Sequence, residues 1–123
     1  DKPDELIRSS IIRAKLCENL GFLRKGGSDP SELFTLGLFS LIDAILDSPM
    51  ESVLKKLPLS RNIKAALLDQ QSPLALYLEL ARSYERGNWT EVMVQGSSLG
   101  IDIQRLPEIY FRALGWADAL LEA

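Results

Sequence analysis

Helix-start signals recur along this chain, and they restrict its fold more than any other feature. Asp29-Pro30-Ser31-Glu32 combines a capping residue, a first-turn proline and an acidic residue, which suit the free N–H groups of a helix start. Ser48-Pro49-Met50-Glu51 repeats this arrangement, Asn88-Trp89-Thr90-Glu91 has the cap and the acid without the proline, and Ser72-Pro73 has the cap and the proline. No segment sustains the apolar-polar alternation of a strand. The sequence therefore predicts an all-α fold.

Helix ends are indicated by Gly21, Gly87 and Gly100, because glycine easily takes the left-handed conformation that follows many helices. The chain has 123 residues, a length typical of one domain. We predict a compact single-domain bundle of about seven helices over residues 1–123. The predicted helices are Asp4–Leu20, Pro30–Leu46, Pro49–Leu57, Ser60–Leu68, Pro73–Arg86, Trp89–Leu99 and Ile103–Glu122.

The predicted second helix is apolar on every face, which indicates that it is the buried, central element. It also carries Ser40 and Asp43, and a buried carboxylate needs a partner. Arg13 falls on the apolar stripe of the first helix. One hypothesis is therefore that Arg13 turns inward and pairs with Asp43. The alternative is that Arg13 extends towards solvent and Asp43 lies at the edge of the core.

Charge and cysteine content restrict the partners and the compartment. The net charge is −3, and the basic pairs Arg24-Lys25 and Lys55-Lys56 are too short for a nucleic-acid footprint. The single cysteine, Cys17, cannot form an internal disulfide, which favours a reducing compartment. No apolar run is long enough to cross a bilayer. We expect a cytoplasmic protein without nucleic-acid or membrane partners, and the first residue, Asp1, suggests a fragment of a longer chain.

The residues needed for common catalytic chemistry are missing. The chain has no histidine, which removes the usual general base and, with one cysteine, any Cys/His zinc site. It also has no glycine-rich phosphate-binding motif. Asp43 and Asp47, four residues apart, could hold a hard cation, although we interpret them as the flank and last turn of a helix. Cys17 is interpreted as a core residue. No enzymatic activity, metal or cofactor is predicted.

Several segments resemble the C-terminal HDOD part of bacterial EAL–HDOD signalling proteins. The most specific part of the resemblance runs from Phe34 to Leu68, and the whole covers nearly all of the chain. The matching segments are Arg13-Ala14-Lys15-Leu16-Cys17-Glu18, residues 32–44, Pro49-Met50-Glu51, Leu57-Pro58-Leu59-Ser60, residues 63–68 and Tyr84-Glu85-Arg86-Gly87-Asn88-Trp89.

This resemblance implies a helical fold akin to that of HD-type metal phosphohydrolases, without their active site. Residues 37–42 resemble the helix that carries the adjacent His-Asp pair in those enzymes, and Ser40 and Leu41 stand at the matching positions. Neither side chain can replace the metal ligands, so no catalytic residue carries over. The chain would be the C-terminal part of an HDOD domain, and the EAL motif is not present in it.

The leading prediction is a non-catalytic regulatory or protein-interaction module of a signalling protein related to cyclic di-GMP. Its candidate partner contacts are Phe111 and Trp116 on the last helix, with Tyr84 and Trp89 beside the Gly87 turn. The alternative for both tryptophans is packing at the edge of the core. The expected partner is another protein or the N-terminal EAL domain of the same chain, and the sequence leaves a homodimer open.

Two other functions are alternatives to this prediction. A degenerate HD-type phosphohydrolase would have to use carboxylates such as Asp43 and Asp47 as its metal ligands. A tetratricopeptide-like scaffold is suggested by Tyr84 and Trp89 and by the later Tyr110 with Trp116. The spacing of these aromatic residues does not match the length of that repeat, which disfavours the scaffold.

Overall fold

Helices provide all the regular secondary structure in the part of the chain that a computed structural model describes, residues 2–24 and 26–123. These residues form eight α-helices and one short 3-10 helix, which confirms the predicted all-α fold. The α-helices are α1 (Lys2–Leu23), α2 (Pro30–Phe39), α3 (Ile42–Leu46), α4 (Met50–Leu54), α5 (Arg61–Leu67), α6 (Ala75–Arg86), α7 (Trp89–Leu99) and α8 (Leu106–Glu122). The 3-10 helix, Ile103–Arg105, directly precedes α8. Lys25, half of a predicted basic pair, lies outside the described residues.

Helix α1 is the central element of the bundle. It packs against α2, α3, α6 and α8, and its inward residues belong to one continuous hydrophobic cluster. Its buried apolar side chains are Ile12, Ala14, Leu16, Cys17 and Leu20. The prediction that the second helix would hold this central place was wrong. Burying α1 against several helices at once gives the chain a single core.

The predicted helix Pro30–Leu46 is divided into α2 and α3 at Ser40 and Leu41. The Ser40 hydroxyl donates a hydrogen bond to the Gly37 carbonyl (2.7 Å), and Leu41 leaves the helical conformation (φ −118°, ψ 12°). A serine side chain that bonds to the nearby backbone competes with helix continuation. The chain turns at this point, so α2 buries Leu33, Leu36 and Gly37, whereas no residue of α3 is buried.

A close crossing between α1 and α2 occurs at Gly37. A Cβ atom at this position would lie 2.6 Å from the Arg13 carbonyl oxygen and 2.7 Å from the Ala14 Cα. Both neighbours are backbone atoms, so they cannot move aside as a side chain can. Because Gly37 has no side chain, the two helices can approach closely at this point. Their close approach places Ser40 beside Arg13.

The predicted helix ends were confirmed at two glycines and wrong at a third. Gly87 (φ 70°) and Gly100 (φ 71°) adopt the left-handed conformation after α6 and α7. Gly21 instead lies within α1, where an added Cβ would meet the Leu33 side chain at 2.7 Å. Glycine at that position allows close packing of α1 on α2 rather than ending the helix.

Arg13 turns inward as proposed, but its predicted partner was wrong. Its guanidinium pairs with Glu85 of α6, with the Arg13 Nε 3.1 Å from a Glu85 carboxylate oxygen, and also donates to the Ser40 hydroxyl (3.1 Å). The Arg13 and Glu85 side chains are only 12% and 21% exposed. Asp43 instead accepts a hydrogen bond from the Ala44 N–H at the start of its own helix (2.9 Å). Because the chain turns at Ser40, α6 rather than α3 supplies the carboxylate for Arg13.

Candidate functional site

The turn between α6 and α7 brings Tyr84 and Trp89 together. Gly87 ends α6, and the Asn88 side chain caps α7 by accepting a hydrogen bond from the Glu91 N–H (3.3 Å). The rings of Tyr84 and Trp89 meet edge to face with their centroids 5.5 Å apart. Such pairs stabilise a protein beyond the effect of the area that they bury. The two candidate residues beside the turn thus form one aromatic unit.

Tyr84 also connects this turn to α8. Its ring lies 5.2 Å from the ring of Tyr110, centroid to centroid, in a tilted arrangement. Desolvation by burial raises the pKa of the Tyr84 phenol, and the neighbouring Tyr110 raises it further. The phenol is therefore neutral at physiological pH and behaves as an aromatic contact rather than as a proton carrier.

An apolar cavity of about 300 Å³ opens between α7 and the start of α8. We call it the aromatic groove, and it is lined by Tyr84, Trp89, Val92, Met93, Ile103, Leu106 and Pro107. Trp89 is 58% exposed and Met93 is 61% exposed. Large apolar side chains left open to solvent in a concave surface are a common feature of protein-binding sites. The edge-of-core interpretation of Trp89 does not fit this exposure.

Phe111 is an exposed apolar residue of α8 near the aromatic groove, although it does not line the groove. It lies one helical turn after Pro107, and residues four apart occupy the same face of a helix. The side chain of Phe111 is 76% exposed. Two of the four candidate residues, Tyr84 and Trp89, line the aromatic groove, and Phe111 lies on α8 one helical turn beyond its lining.

Trp116 is placed apart from the aromatic groove. Its ring packs edge to face on Phe34 of α2 at 5.8 Å, centroid to centroid, and the Lys15 ammonium nitrogen lies 4.9 Å from its centroid. The side chain is only partly exposed. Trp116 thus packs at the edge of the core, as the alternative interpretation held.

Most of the apolar side chains that line the aromatic groove were not predicted from the sequence. A signal existed for Met93, which follows Trp89 by one helical turn and must share its face of α7. No such local signal existed for Ile103, Leu106 and Pro107. They reach the groove because α7 and the 3-10 helix pack together, a contact between segments joined through the Gly100 turn.

The phosphohydrolase alternative would use Asp43 and Asp47 as metal ligands, and the described part of the chain adds no cluster of further ligands to them. Within residues 2–24 and 26–123, no three Asp, Glu or Cys side chains come together where they could hold a metal ion. Asp47 is an exposed C-cap residue of α3 with φ 51°. Burial raises the pKa of the Cys17 thiol to about 12, outweighing the nearby Arg13 guanidinium, which lowers it. Cys17 is therefore a protonated core residue at neutral pH.

None of the helices in the described residues is both long enough and apolar enough to cross a membrane. No protein-family model and no solved structure matches the chain.

Two curated proteins are similar to nearly the whole chain. The cyclic di-GMP phosphodiesterase CdgJ of Vibrio cholerae is 30% identical over 116 residues, which cover 94% of this chain and 27% of CdgJ. The uncharacterized protein YuxH of Bacillus subtilis is 36% identical over 119 residues, which cover 97% of this chain and 28% of YuxH. The chain thus spans about a quarter of the length of these relatives and is similar to one part of each.

Proposed function

We propose that this chain is a non-catalytic interaction module of a bacterial signalling protein related to cyclic di-GMP. It would correspond to the C-terminal part of an HDOD domain in an EAL–HDOD protein. The similarity to a cyclic di-GMP phosphodiesterase over 94% of the chain supports the signalling context. The resemblance of residues 34–68 to the HDOD segment supports the narrower assignment.

The observation that carries this proposal is the open aromatic groove. Trp89 and Met93 expose more than half of their surface in a cavity whose other walls are almost entirely apolar. Tryptophan, tyrosine and methionine are enriched where proteins bind one another. A partner that inserts an apolar side chain here would remove this surface from water, at roughly 25 cal/mol per Å² of apolar area.

The EAL domain of the same protein is the first partner to consider, and another protein or a second copy of the chain are the others. An attached domain is held at high effective concentration, so even a weak groove contact would be occupied. Such a contact would allow the module to regulate the attached domain without chemistry of its own.

Binding measurements with groove variants test this proposal. The chain is immobilised and challenged with the EAL domain of an EAL–HDOD protein, and separately with bacterial lysate at low and raised salt. We expect Met93→Ser and Trp89→Ala to weaken retention of the bound protein about tenfold, because each removes a central apolar contact. Since that contact is apolar, retention by the unaltered chain should survive raised salt.

Val94→Ser is the matched control for these variants. Val94 neighbours Met93 on α7 and is similarly exposed, but it does not line the aromatic groove. Retention should be unchanged in this variant. Equal retention by the unaltered chain and both groove variants would contradict the proposed site, and size-exclusion chromatography would show whether a second copy occupies the groove.

A further inference from the structure

A second open cleft lies on another side of α8 from the aromatic groove, where α8 packs against the C-terminal half of α1. The two helices run antiparallel, since Arg8 near the start of α1 pairs with Asp118 near the end of α8 (2.9 Å). The cleft between them has a volume of about 490 Å³. We call it the α1–α8 cleft, and it is lined by Asn19, Phe22, Leu23, Arg105, Ile109 and Arg112.

The cleft combines an apolar floor with an aromatic wall. Ile109 is buried and Leu23 is partly buried, whereas Phe22 is 68% exposed. A phenyl ring left this open costs free energy that a covering partner would recover. Phe22 therefore suits a ligand that brings its own aromatic or aliphatic side chain.

The rim of the cleft carries an excess of positive charge. Arg105 and Arg112 share a single carboxylate, that of Glu108, at distances of 3.4 and 2.7 Å. Lys15, on the neighbouring turns of α1, is already paired with Glu18 (2.7 Å). One guanidinium charge is thus uncompensated within this group, and arginine is well suited to bind an incoming carboxylate in a bidentate manner.

The shape of the cleft favours a protein segment over a small molecule. Ligand pockets for small molecules enclose most of their ligand, but here Phe22 and both arginines stand on an open rim. Two arginines are also too few for a nucleic-acid footprint in a chain with a net charge of −3. We propose that the α1–α8 cleft binds an acidic protein segment in which a carboxylate side chain lies next to an aromatic or aliphatic one. This inference does not depend on the aromatic groove.

Trp116 offers a direct readout of such binding. It lies one turn after Arg112 on the same face of α8, and the chain contains only two tryptophans. In a Trp89→Phe background, all tryptophan fluorescence therefore reports from beside the cleft. The Trp89→Phe substitution also changes the aromatic groove, so peptide binding by this variant cannot depend on the Trp89 side chain.

The probe is a short synthetic peptide that alternates Glu with Phe and Leu, titrated into the Trp89→Phe protein. In one matched peptide Lys replaces Glu, and in a second matched peptide Ser replaces both Phe and Leu. 4-Phenylbutyrate serves as a small carboxylate. We expect the first peptide to bind, and each replacement peptide and phenylbutyrate to bind at least about tenfold more weakly. Raised salt should weaken the binding.

Variants of the cleft locate the binding. Phe22→Ser and Arg112→Ala should each weaken the Glu/Phe/Leu peptide about fivefold to tenfold, whereas Glu108→Gln should strengthen it because it frees both arginines. Val94→Ser should change nothing, and far-UV circular dichroism confirms that each variant is folded. The proposal is overturned if the peptide does not bind, if the Lys peptide or phenylbutyrate binds as tightly, or if the Phe22 and Arg112 variants bind as well as their parent.

Discussion

Two regions of the molecule begin at Tyr84 and Glu85, which are neighbours in α6. They differ in whether the charged or apolar groups that they contain are covered by the protein or left open to water. Glu85 turns towards α1, where Arg13 pairs with its charge and both side chains are largely buried. Tyr84 turns towards α7 and α8, where its ring joins Trp89 in a groove that stays open. The first region satisfies its donors and acceptors inside the protein, and the second leaves apolar surface exposed to water. The first arrangement favours stability, and the second leaves the surface that the proposed function requires.

This contrast shows why exposure and charge must be considered together. Arg13 is charged but largely buried, whereas Met93 is apolar but exposed. A change in the ion-pair region should therefore lower the free energy of unfolding, while a change in the aromatic groove should leave it nearly unchanged. Variants in the two regions, with expected effects that range from large to small, test that separation.

The largest effect is expected where α2 crosses α1 beside the ion pair. Gly37→Ala places a methyl group 2.6–2.8 Å from backbone atoms of Arg13 and Ala14, so the helices must separate. We expect the free energy of unfolding to fall by about 3 kcal/mol or more, as for severe overpacking. Urea denaturation followed by circular dichroism measures the change.

Gly115→Ala is the matched control for Gly37→Ala. A Cβ at Gly115 would meet no atom within 4 Å, and the residue is exposed within α8. Alanine there should stabilise the protein by roughly 0.5–1 kcal/mol, because it favours the helix. Equal effects at the two glycines would show that the close approach at Gly37 does not control the crossing.

The ion pair itself should show strong coupling. Glu85→Leu leaves the Arg13 charge without its partner in a largely buried place, which should cost about 3 kcal/mol. Arg13→Met should cost a similar amount for the converse reason. The double variant buries apolar groups in both positions and should cost less than about 1 kcal/mol. Purely additive costs in this double-mutant cycle would mean that the two side chains act independently.

The buried thiol of Cys17, which lies near this pair, should make the free energy of unfolding fall at alkaline pH. Because burial raises the pKa of Cys17 from 9.0 to about 12, the folded protein retains a thiol proton that the unfolded chain loses first. Its contribution to stability is therefore complete below pH 9 and is lost as the pH rises towards 12. Between about pH 8 and pH 10 we expect a loss of about 1–2 kcal/mol.

Comparison with Cys17→Ala under reducing conditions isolates the thiol from other groups that titrate at high pH. The variant has a constant cost from its smaller side chain, but its unfolding free energy should decline less steeply above about pH 9. Parallel pH curves for the two proteins would show that Cys17 ionises as easily in the folded state as in the unfolded one.

Sequence reasoning succeeded at some features with a local cause and failed at others. The caps predicted at Ser48 and Ser72 were wrong, since α4 begins after Pro49 and α6 begins after Leu74, and neither start has a side-chain cap. The Asn88 cap, the Gly87 and Gly100 ends and the helix Trp89–Leu99 were predicted, because each depends on residues within one or two turns. The break at Ser40 was not predicted. The Ser40 hydroxyl donates to the Gly37 carbonyl and also accepts from Arg13 of α1, and that second contact joins segments far apart in the sequence.

The candidate site could be predicted only in part for the same reason. Tyr84 and Trp89 are neighbours because a short turn joins them, and that was visible in the sequence. The far wall of the aromatic groove depends instead on how the start of α8 packs beside α7. No periodic pattern within one helix encodes that contact.

The partner of Arg13 shows the same limit of local patterns. Asp43 was the expected partner because it lies in an apolar segment, where a carboxylate needs a compensating charge. Glu85 gave no comparable signal, since it stands near the end of α6 directly before the exposed Arg86. Only the packing of α6 against α1 identifies Glu85 as the partner.

The smallest effect on stability is expected in the aromatic groove. Met93→Ser replaces a side chain that is 61% exposed, so the free energy of unfolding should change by less than about 0.5 kcal/mol. Urea denaturation of this variant beside Glu85→Leu measures the contrast directly. If Met93→Ser lowers the free energy of unfolding as much as Glu85→Leu does, the groove is part of the core and its surface is not available to a partner. If the cost is small while binding is lost, the apolar surface at Met93 is kept for recognition, because folding alone gives it no role.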